Sequence, residues 1–126
     1  MRILICDDEG IVQQAIRFMI QKSFGDEFEI ESAKNGRMAI ELAESFRPDI
    51  ILMDIQMPVM DGYQASRKIR SLENKDLAEI PIIALTANAF DEDKKEALAN
   101  GMNAHIAKPL DVAVLYETLE KILKDK

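Results

Sequence analysis

The run Ile50-Ile51-Leu52-Met53 constrains this chain more than any other stretch. Pro48 precedes it and Pro58 follows it, so it is too short for an ordinary helix, and its unbroken apolar character fits a strand buried on both faces. Such strands lie inside parallel sheets, and in open α/β sheets ligands bind beyond the carboxyl ends of the strands. Asp54 stands where this strand runs out. A lone Asp there would read as a turn residue bonding its own backbone. The stretch holds a better capping candidate, however: Asp61 precedes Gly62, and Ala65, Ile69 and Leu72 follow as a third helix.

The remaining elements alternate around that strand. Arg2 to Cys6 is a first strand running directly into Asp7, Asp8 and Glu9. Val12, Ala15, Ile16, Met19 and Ile20 recur at helical spacing, with Gly25 as terminator. Phe28 to Ala33 alternates apolar and acidic residues, which suits an edge strand with a wet face. Asn35-Gly36 starts a second helix with Ala39, Leu42, Ala43 and Phe46 on one stripe, ending before Pro48. The polar connection from Glu73 to Glu79 is long for a helix-to-strand link and has room for an extra turn. Pro81 to Leu85 is the fourth strand and ends in Thr86. Asp91 to Asn100 is a fourth helix in which only Ala97, Leu98 and Ala99 are apolar, so it buries little surface and is expected to be loosely held. Ala104 to Ala107 is a fifth strand closed by Lys108-Pro109, and Asp111 caps a last helix with Leu115, Leu119, Ile122 and Leu123 inward. Five strands alternating with five helices predict a doubly wound, flavodoxin-like parallel sheet. Its expected strand order is 2-1-3-4-5, because the second strand has the most polar face.

Length and composition narrow the chemistry. With 126 residues the chain is sized for one domain, taken as 1–126. No apolar run approaches the roughly 20 residues of a membrane span, and the start lacks a signal-peptide pattern, so a cytoplasmic location without membrane attachment is expected. The single cysteine, Cys6, excludes an internal disulfide and reads as a buried small hydrophobe. A net charge of -7 argues against direct nucleic-acid binding. One His, no Trp, no CxxC and no HExxH leave zinc sites and His-based triads without ligands. A bound metal should be hard and held by oxygen, Mg²⁺ before Ca²⁺.

In the expected order the first and third strands are neighbours, so Asp7, Asp8 and Asp54 converge. Two like charges about 4 Å apart oppose each other by roughly 4 kcal/mol at an effective dielectric near 20, and three carboxylates together call for protonation or a cation. Mg²⁺ resolves the conflict and keeps positions for a phosphoryl oxygen. Thr86 offers a hydroxyl and Lys108 an ammonium at two further strand ends. Taken singly, a Thr after a strand is a helix cap and a Lys before Pro a solvated loop residue. Acids, hydroxyl and lysine at four strand ends together outweigh those readings. Asp54 can then act as nucleophile on phosphorus, with Mg²⁺ and Lys108 neutralising charge.

These motifs, the pair Asp7-Asp8, Asp54 in MDIQMPVMDG, Thr86 in IIALTANA and Lys108-Pro109, resemble the receiver domain of two-component response regulators over essentially the whole chain. The stretch from TANA through GMNAHIAKPLD is similar to receivers of hybrid histidine kinases. The resemblance implies that Asp54 becomes a phosphoaspartate, fed by a histidine kinase or histidine phosphotransfer protein. It implies that Asp8, Asp54 and the Gln56 carbonyl hold Mg²⁺, with Asp7 acting through a metal-bound water. Thr86 and Lys108 would bond the phosphoryl group, the amides of Met57 and Ala87 would contact it, and the Lys108-Pro109 bond would be cis. Gln56 and Asn88 stand where relatives tune the lifetime of the phosphate.

One residue departs from the family pattern. Relatives carry Tyr or Phe three residues before the lysine, where this chain has His105. Two readings stand for it: a smaller, titratable switch ring that moves with Thr86, or an exposed strand residue that does not move. The implied output is a changed surface over the fourth helix, fifth strand and fifth helix, read by a downstream protein or output domain. The sequence leaves open a dimer formed on phosphorylation. The domain would catalyse its own phosphorylation and slow dephosphorylation without being a turnover enzyme. A haloacid-dehalogenase-type phosphatase ranks far lower, because Gln56 stands where that family has its general acid. A degenerate receiver that binds a partner without phosphate conflicts with the complete acid, Thr and Lys set.

Overall fold

A computed structural model describes residues 1–87 and 91–124. Five strands, β1 (Arg2–Cys6), β2 (Glu29–Ala33), β3 (Ile50–Asp54), β4 (Ile82–Thr86) and β5 (Ala104–Ala107), form one parallel sheet in the order β2-β1-β3-β4-β5. The expected order therefore holds, with β2 at an edge. Five helices of nine residues or more join the strands: α1 (Gly10–Phe24), α2 (Gly36–Phe46), α3 (Gly62–Arg70), α5 (Asp91–Ala99) and α6 (Val112–Lys124). Beyond the five expected helices, the long polar connection holds a one-turn helix, α4 (Lys75–Ala78), started by Asn74, whose side chain accepts the Asp76 N–H at 2.9 Å.

Each strand of the sheet interior divides its side chains between two cores, because successive side chains point to opposite faces. Leu4, Cys6, Ile51, Met53, Ile82 and Ala84 pack on one face with Ala39, Ala43, Ala65 and Ile69 of α2 and α3. Ile3, Ile5, Ile50, Leu52, Ile83 and Leu85 pack on the other with Ile16 and Ile20 of α1 and Leu115 and Leu119 of α6. The apolar stripe of α1 differs from expectation at Ala15, which is exposed; Ile16 and Ile20 carry the packing. On α5 the described buried side chain is Ala97, and Leu98 faces solvent, as its sparse apolar content predicts.

Two local features tighten the structure around the end of β3. The Asp61 side chain accepts the Gln64 N–H at 2.8 Å and the Gln64 side chain returns to the Asp61 N–H, a reciprocal cap that starts α3. Gly62 follows because a Cβ there would run into the Asp54 carbonyl oxygen and lie 2.9 Å from Ile55 Cα. Only glycine lets α3 begin against the strand end, which holds the 55–61 loop close to Asp54.

At the far end of the sheet Arg70 braces three segments. Its guanidinium donates to the carbonyls of Gly101, Ala78 and Ile80 and to Asn103 Oδ1, at 2.7–2.9 Å. Asn103 Oδ1 also accepts the Ile82 N–H.

Candidate functional site

The alternation that builds the two cores also aims the site. Ile3 and Ile5 share a face, and Asp7 continues it; Ile50 and Leu52 share the same face, and Asp54 continues it; Ala104 and Ile106 do the same for Lys108. All three reach the carboxyl edge on the α1 and α6 side. Lys108 Nζ donates to Asp7 Oδ2 at 2.9 Å and to Asp54 Oδ2 at 3.2 Å. Asp7 is 0% exposed and Asp54 6%, so this is a nearly buried ammonium-dicarboxylate contact. Asp7 Oδ1 accepts the Glu9 N–H at 2.9 Å, and Asp54 Oδ1 accepts the Gln56 N–H at 3.1 Å.

Charge and burial oppose each other here. Burial raises the Asp54 pKa most; the Gln56 N–H and Lys108 pull it down and the Asp7 charge pushes it up, leaving it above the ordinary Asp value. Burial alone would lower the Lys108 ammonium, but its bonds and charges toward Asp7 and Asp54 outweigh this and hold it above the ordinary lysine value. Cys6, fully buried beside Asp7, has its thiol pushed far up, in keeping with an inert core residue.

The carboxylates of Asp7, Asp8 and Glu9 bring oxygens within 4.8 Å of one another, with Asp8 and Glu9 exposed. An all-oxygen, strongly anionic set suits a hard divalent cation, so the residues present fit Mg²⁺. Glu9 was not among the expected site residues. Its signal was its position directly after Asp8, and only the turn geometry shows that its carboxylate joins the pair.

The other expected residues fall around this centre. Thr86 ends β4, is buried, and accepts the Lys108 N–H on its carbonyl at 2.7 Å. By alternation its side chain lies on the opposite face from Asp54, the face that Ala97 of α5 covers. Gln56 and Ala87 are exposed, and the Met57 side chain is buried in the core under the loop. The Lys108-Pro109 peptide is cis. His105 lies in mid-β5 opposite Ala84, while Thr86 pairs with Ala107, so the two share a face on adjacent strands two positions apart. Partial burial lowers the His105 pKa, Lys94 lowers it further, and Asp93 opposes them. Asn88 lies outside the described residues.

Residues 3–120 match the response regulator receiver domain family. The chain belongs to that family. It is 35% identical over 123 residues to hybrid signal transduction histidine kinase I of Dictyostelium discoideum, covering 94% of this chain and 7% of the kinase. This receiver domain thus spans a small part of that relative's length. Among solved structures it is similar to the receiver domain of sensor histidine kinase PA1611 from Pseudomonas aeruginosa PAO1, which holds a magnesium ion coordinated in the active site cleft. Identity is 37%, TM-score 0.85, and the match covers 98% of this chain and 97% of that one. It is also similar to the structure in which the receiver domain of the Saccharomyces cerevisiae response regulator Ssk1 is bound to the histidine phosphotransfer protein Ypd1. Identity there is 29%, TM-score 0.86, with 96% and 87% covered. Among the described residues no helix is long and apolar enough to cross a membrane.

Proposed function

We propose that this receiver domain accepts a phosphoryl group onto Asp54 from the phosphohistidine of a histidine kinase or histidine phosphotransfer protein in the cytoplasm. One observation carries the reading: a nearly buried Asp54 shares one ammonium, Lys108, with a fully buried Asp7 at the carboxyl edge of a parallel sheet. Burial makes the Asp54 carboxylate more basic and so a better nucleophile. An Asp54 oxygen forms the new bond to phosphorus while the phosphorus–nitrogen bond of the donor breaks. The histidine nitrogen keeps the electron pair and takes up a proton. Lys108, already at the carboxylate, pairs with the charge of the transferred group.

Asp8, Asp54 and the Gln56 carbonyl would hold Mg²⁺, with Asp7 acting through its water. When bound, the ion neutralises the carboxylates and the phosphoryl oxygens. The amides of Met57 and Ala87 contact the phosphoryl group, the Thr86 hydroxyl reaches it only by turning over the end of β4 from the opposite face, and Gln56 bears on how long it persists. The domain acts as a switch that modifies itself and not as a turnover enzyme.

A protein donor suits the surroundings. Beside the acidic turn, α1 exposes Ile11 (82%) and Phe18 (64%), seven residues apart and so on one side of the helix. The Ypd1-Ssk1 complex supports a phosphotransfer protein as that partner. The output runs through Thr86 to α5, β5 and α6, where α5 is lightly anchored, and a downstream protein or output domain, or a second phosphorylated copy, reads the altered surface. His105 shares the face of Thr86 and turns inward as Thr86 moves; an unmoved His105 in a phosphate-mimic complex would refute that role.

Intact mass after incubation with acetyl phosphate tests the chemistry. One phosphoryl group should be gained with Mg²⁺ and lost from the result without Mg²⁺ or in Asp54→Asn. Gain in Asp54→Asn, or rapid release of free phosphate, would overturn the assignment.

A further inference from the structure

The turn that carries the acidic residues is held from behind by one side chain that the phosphoryl chemistry does not use. Gln13, in the second turn of α1, directs its Nε2 to the Asp7 carbonyl and to the Ala33 carbonyl, the latter at 3.1 Å. The Ala33 carbonyl also accepts the Asp7 N–H at 3.0 Å. Two carbonyl acceptors require the NH₂ end of the amide, so the orientation of this side chain follows from its partners. Its two N–H groups therefore tie together the ends of β1 and β2 and the start of α1.

The carbonyl it holds belongs to the peptide joining Asp7 to Asp8. Fixing that peptide plane fixes the direction in which Asp8 leaves the chain, while Asp7 itself is pinned at its carboxylate by the Glu9 N–H and Lys108. A second observation points the same way. Glu9 occupies the cap position of α1 and makes no capping bond with its side chain, which joins the carboxylate group instead. The helix start thus lacks the ordinary device that would hold the turn, and the Gln13 amide supplies a substitute.

We infer that Gln13 is a positioning residue for the acidic turn: by holding the Asp7 carbonyl it sets the affinity of the carboxylates for Mg²⁺, and it touches neither the ion nor the phosphoryl group. The inference rests on the reading of the site given above. Outer contacts that orient metal-binding groups are commonly worth about 10–100-fold in affinity.

Calorimetric titration of the intact chain with MgCl₂ tests it. Gln13→Met keeps the length of the side chain and removes both donors, and about a 10-fold weaker Kd is expected, with stoichiometry still near one. A merely structural role would lower the stoichiometry or the melting temperature and leave Kd alone, which would overturn the inference. Should Gln13→Met fail to fold, Gln13→Asn takes its place: its amide is one methylene too short to reach both carbonyls, and an unchanged Kd would equally refute the role. Wild-type protein that binds no Mg²⁺ would refute the site reading itself. Wild type that binds while Gln13→Met binds as tightly would refute Gln13 alone.

Discussion

Replacing Lys108 by Met isolates the largest electrostatic element in the site. The ammonium lies 2.9 Å from Asp7 and 3.2 Å from Asp54, which at an effective dielectric near 20 corresponds to gross attractions of about 6 and 5 kcal/mol. Most of this offsets the cost of taking three charges out of water, and measured losses on breaking such buried pairs are about 3–5 kcal/mol. The Lys108 side chain keeps 22% of its exposure, so the lower end, about 3 kcal/mol, is expected at pH 7.5 without Mg²⁺. The pH dependence gives the test its specificity. In the wild type the Lys108 pKa is raised, so its contribution is fully present below the ordinary lysine pKa and is lost only as pH rises through the raised value. In Lys108→Met the two buried carboxylates lose their counter-charge, and Asp54, whose pKa Lys108 pulls down, rises further above the ordinary Asp value, so the penalty appears as pH rises through the carboxylate range. Urea unfolding followed by far-UV circular dichroism should therefore show a midpoint lower by about 1–2 M at pH 7.5 and a much smaller deficit near pH 4.5. Mg²⁺ at pH 7.5 should recover part of the loss. A deficit below about 1 kcal/mol at pH 7.5, or one equally large at both pH values, would refute the charge argument.

Three further perturbations follow from single features. Asp54→Asn removes a carboxylate whose folded pKa is raised by burial and by Asp7; its ionised form subtracts stability as pH rises past the unfolded value, so the variant should melt a few degrees higher at pH 7.5, the gap closing as pH falls below about 4 in a pH series of thermal melts. Val59 is 75% exposed and adopts φ 68°, a left-handed conformation that costs a β-branched residue about 1–2 kcal/mol, so Val59→Asn should raise the urea midpoint by about 1 kcal/mol equivalent. Arg70→Met strips donors from the carbonyls of Ala78, Ile80 and Gly101 and should cost about 2–3 kcal/mol, with faster amide hydrogen exchange in the 100–103 turn that it braces.

The sheet was legible because its information is local. Ile50 to Met53 or Ile82 to Leu85 can hardly be other than buried strands, and the polar face of β2 marks the edge. The strand-end residues Asp7, Asp54 and Lys108 were legible for the same reason, and period-two counting from the buried isoleucines even gives the face they share. The features that escaped are made by contacts far apart in sequence. Gln13 reaches Ala33 across 20 positions and Arg70 reaches Gly101 across 31, and neither residue type nor spacing announces such a bond. Ala15 escaped for another reason: it lies at the margin of the α1 stripe, and a methyl group is too small to force the helix to turn it inward. The α4 turn was only a length anomaly until Asn74 was seen to cap it.

The charge balance of the site leads to a stricter conclusion about order of events. One ammonium faces Asp7 and Asp54 directly, with Asp8 and Glu9 close by, so the centre is anionic before any phosphate arrives. A phosphoryl group adds more negative charge to the same volume, and Lys108 cannot shield it without loosening its hold on Asp7. Under the proposed function, phosphorylation of Asp54 is expected to need the cation first, so the rate of mass gain with acetyl phosphate should rise with Mg²⁺ concentration and level off once the ion saturates. The same argument directs the mechanical consequence. In the proposed reading, a shift of Lys108 toward a phosphoryl oxygen would pull on β5 and the end of β4, because the Lys108 N–H is bonded to the Thr86 carbonyl. On the Thr86 face the covering helix is α5, whose described anchor is the small side chain of Ala97 while its carboxyl end is tied to α3 through Arg67 and Asn100 at 2.6 Å. A helix tied at its carboxyl end and packed through a small side chain is expected to shift in response, beside the part of β5 where the charges of Asp93 and Lys94 act on His105.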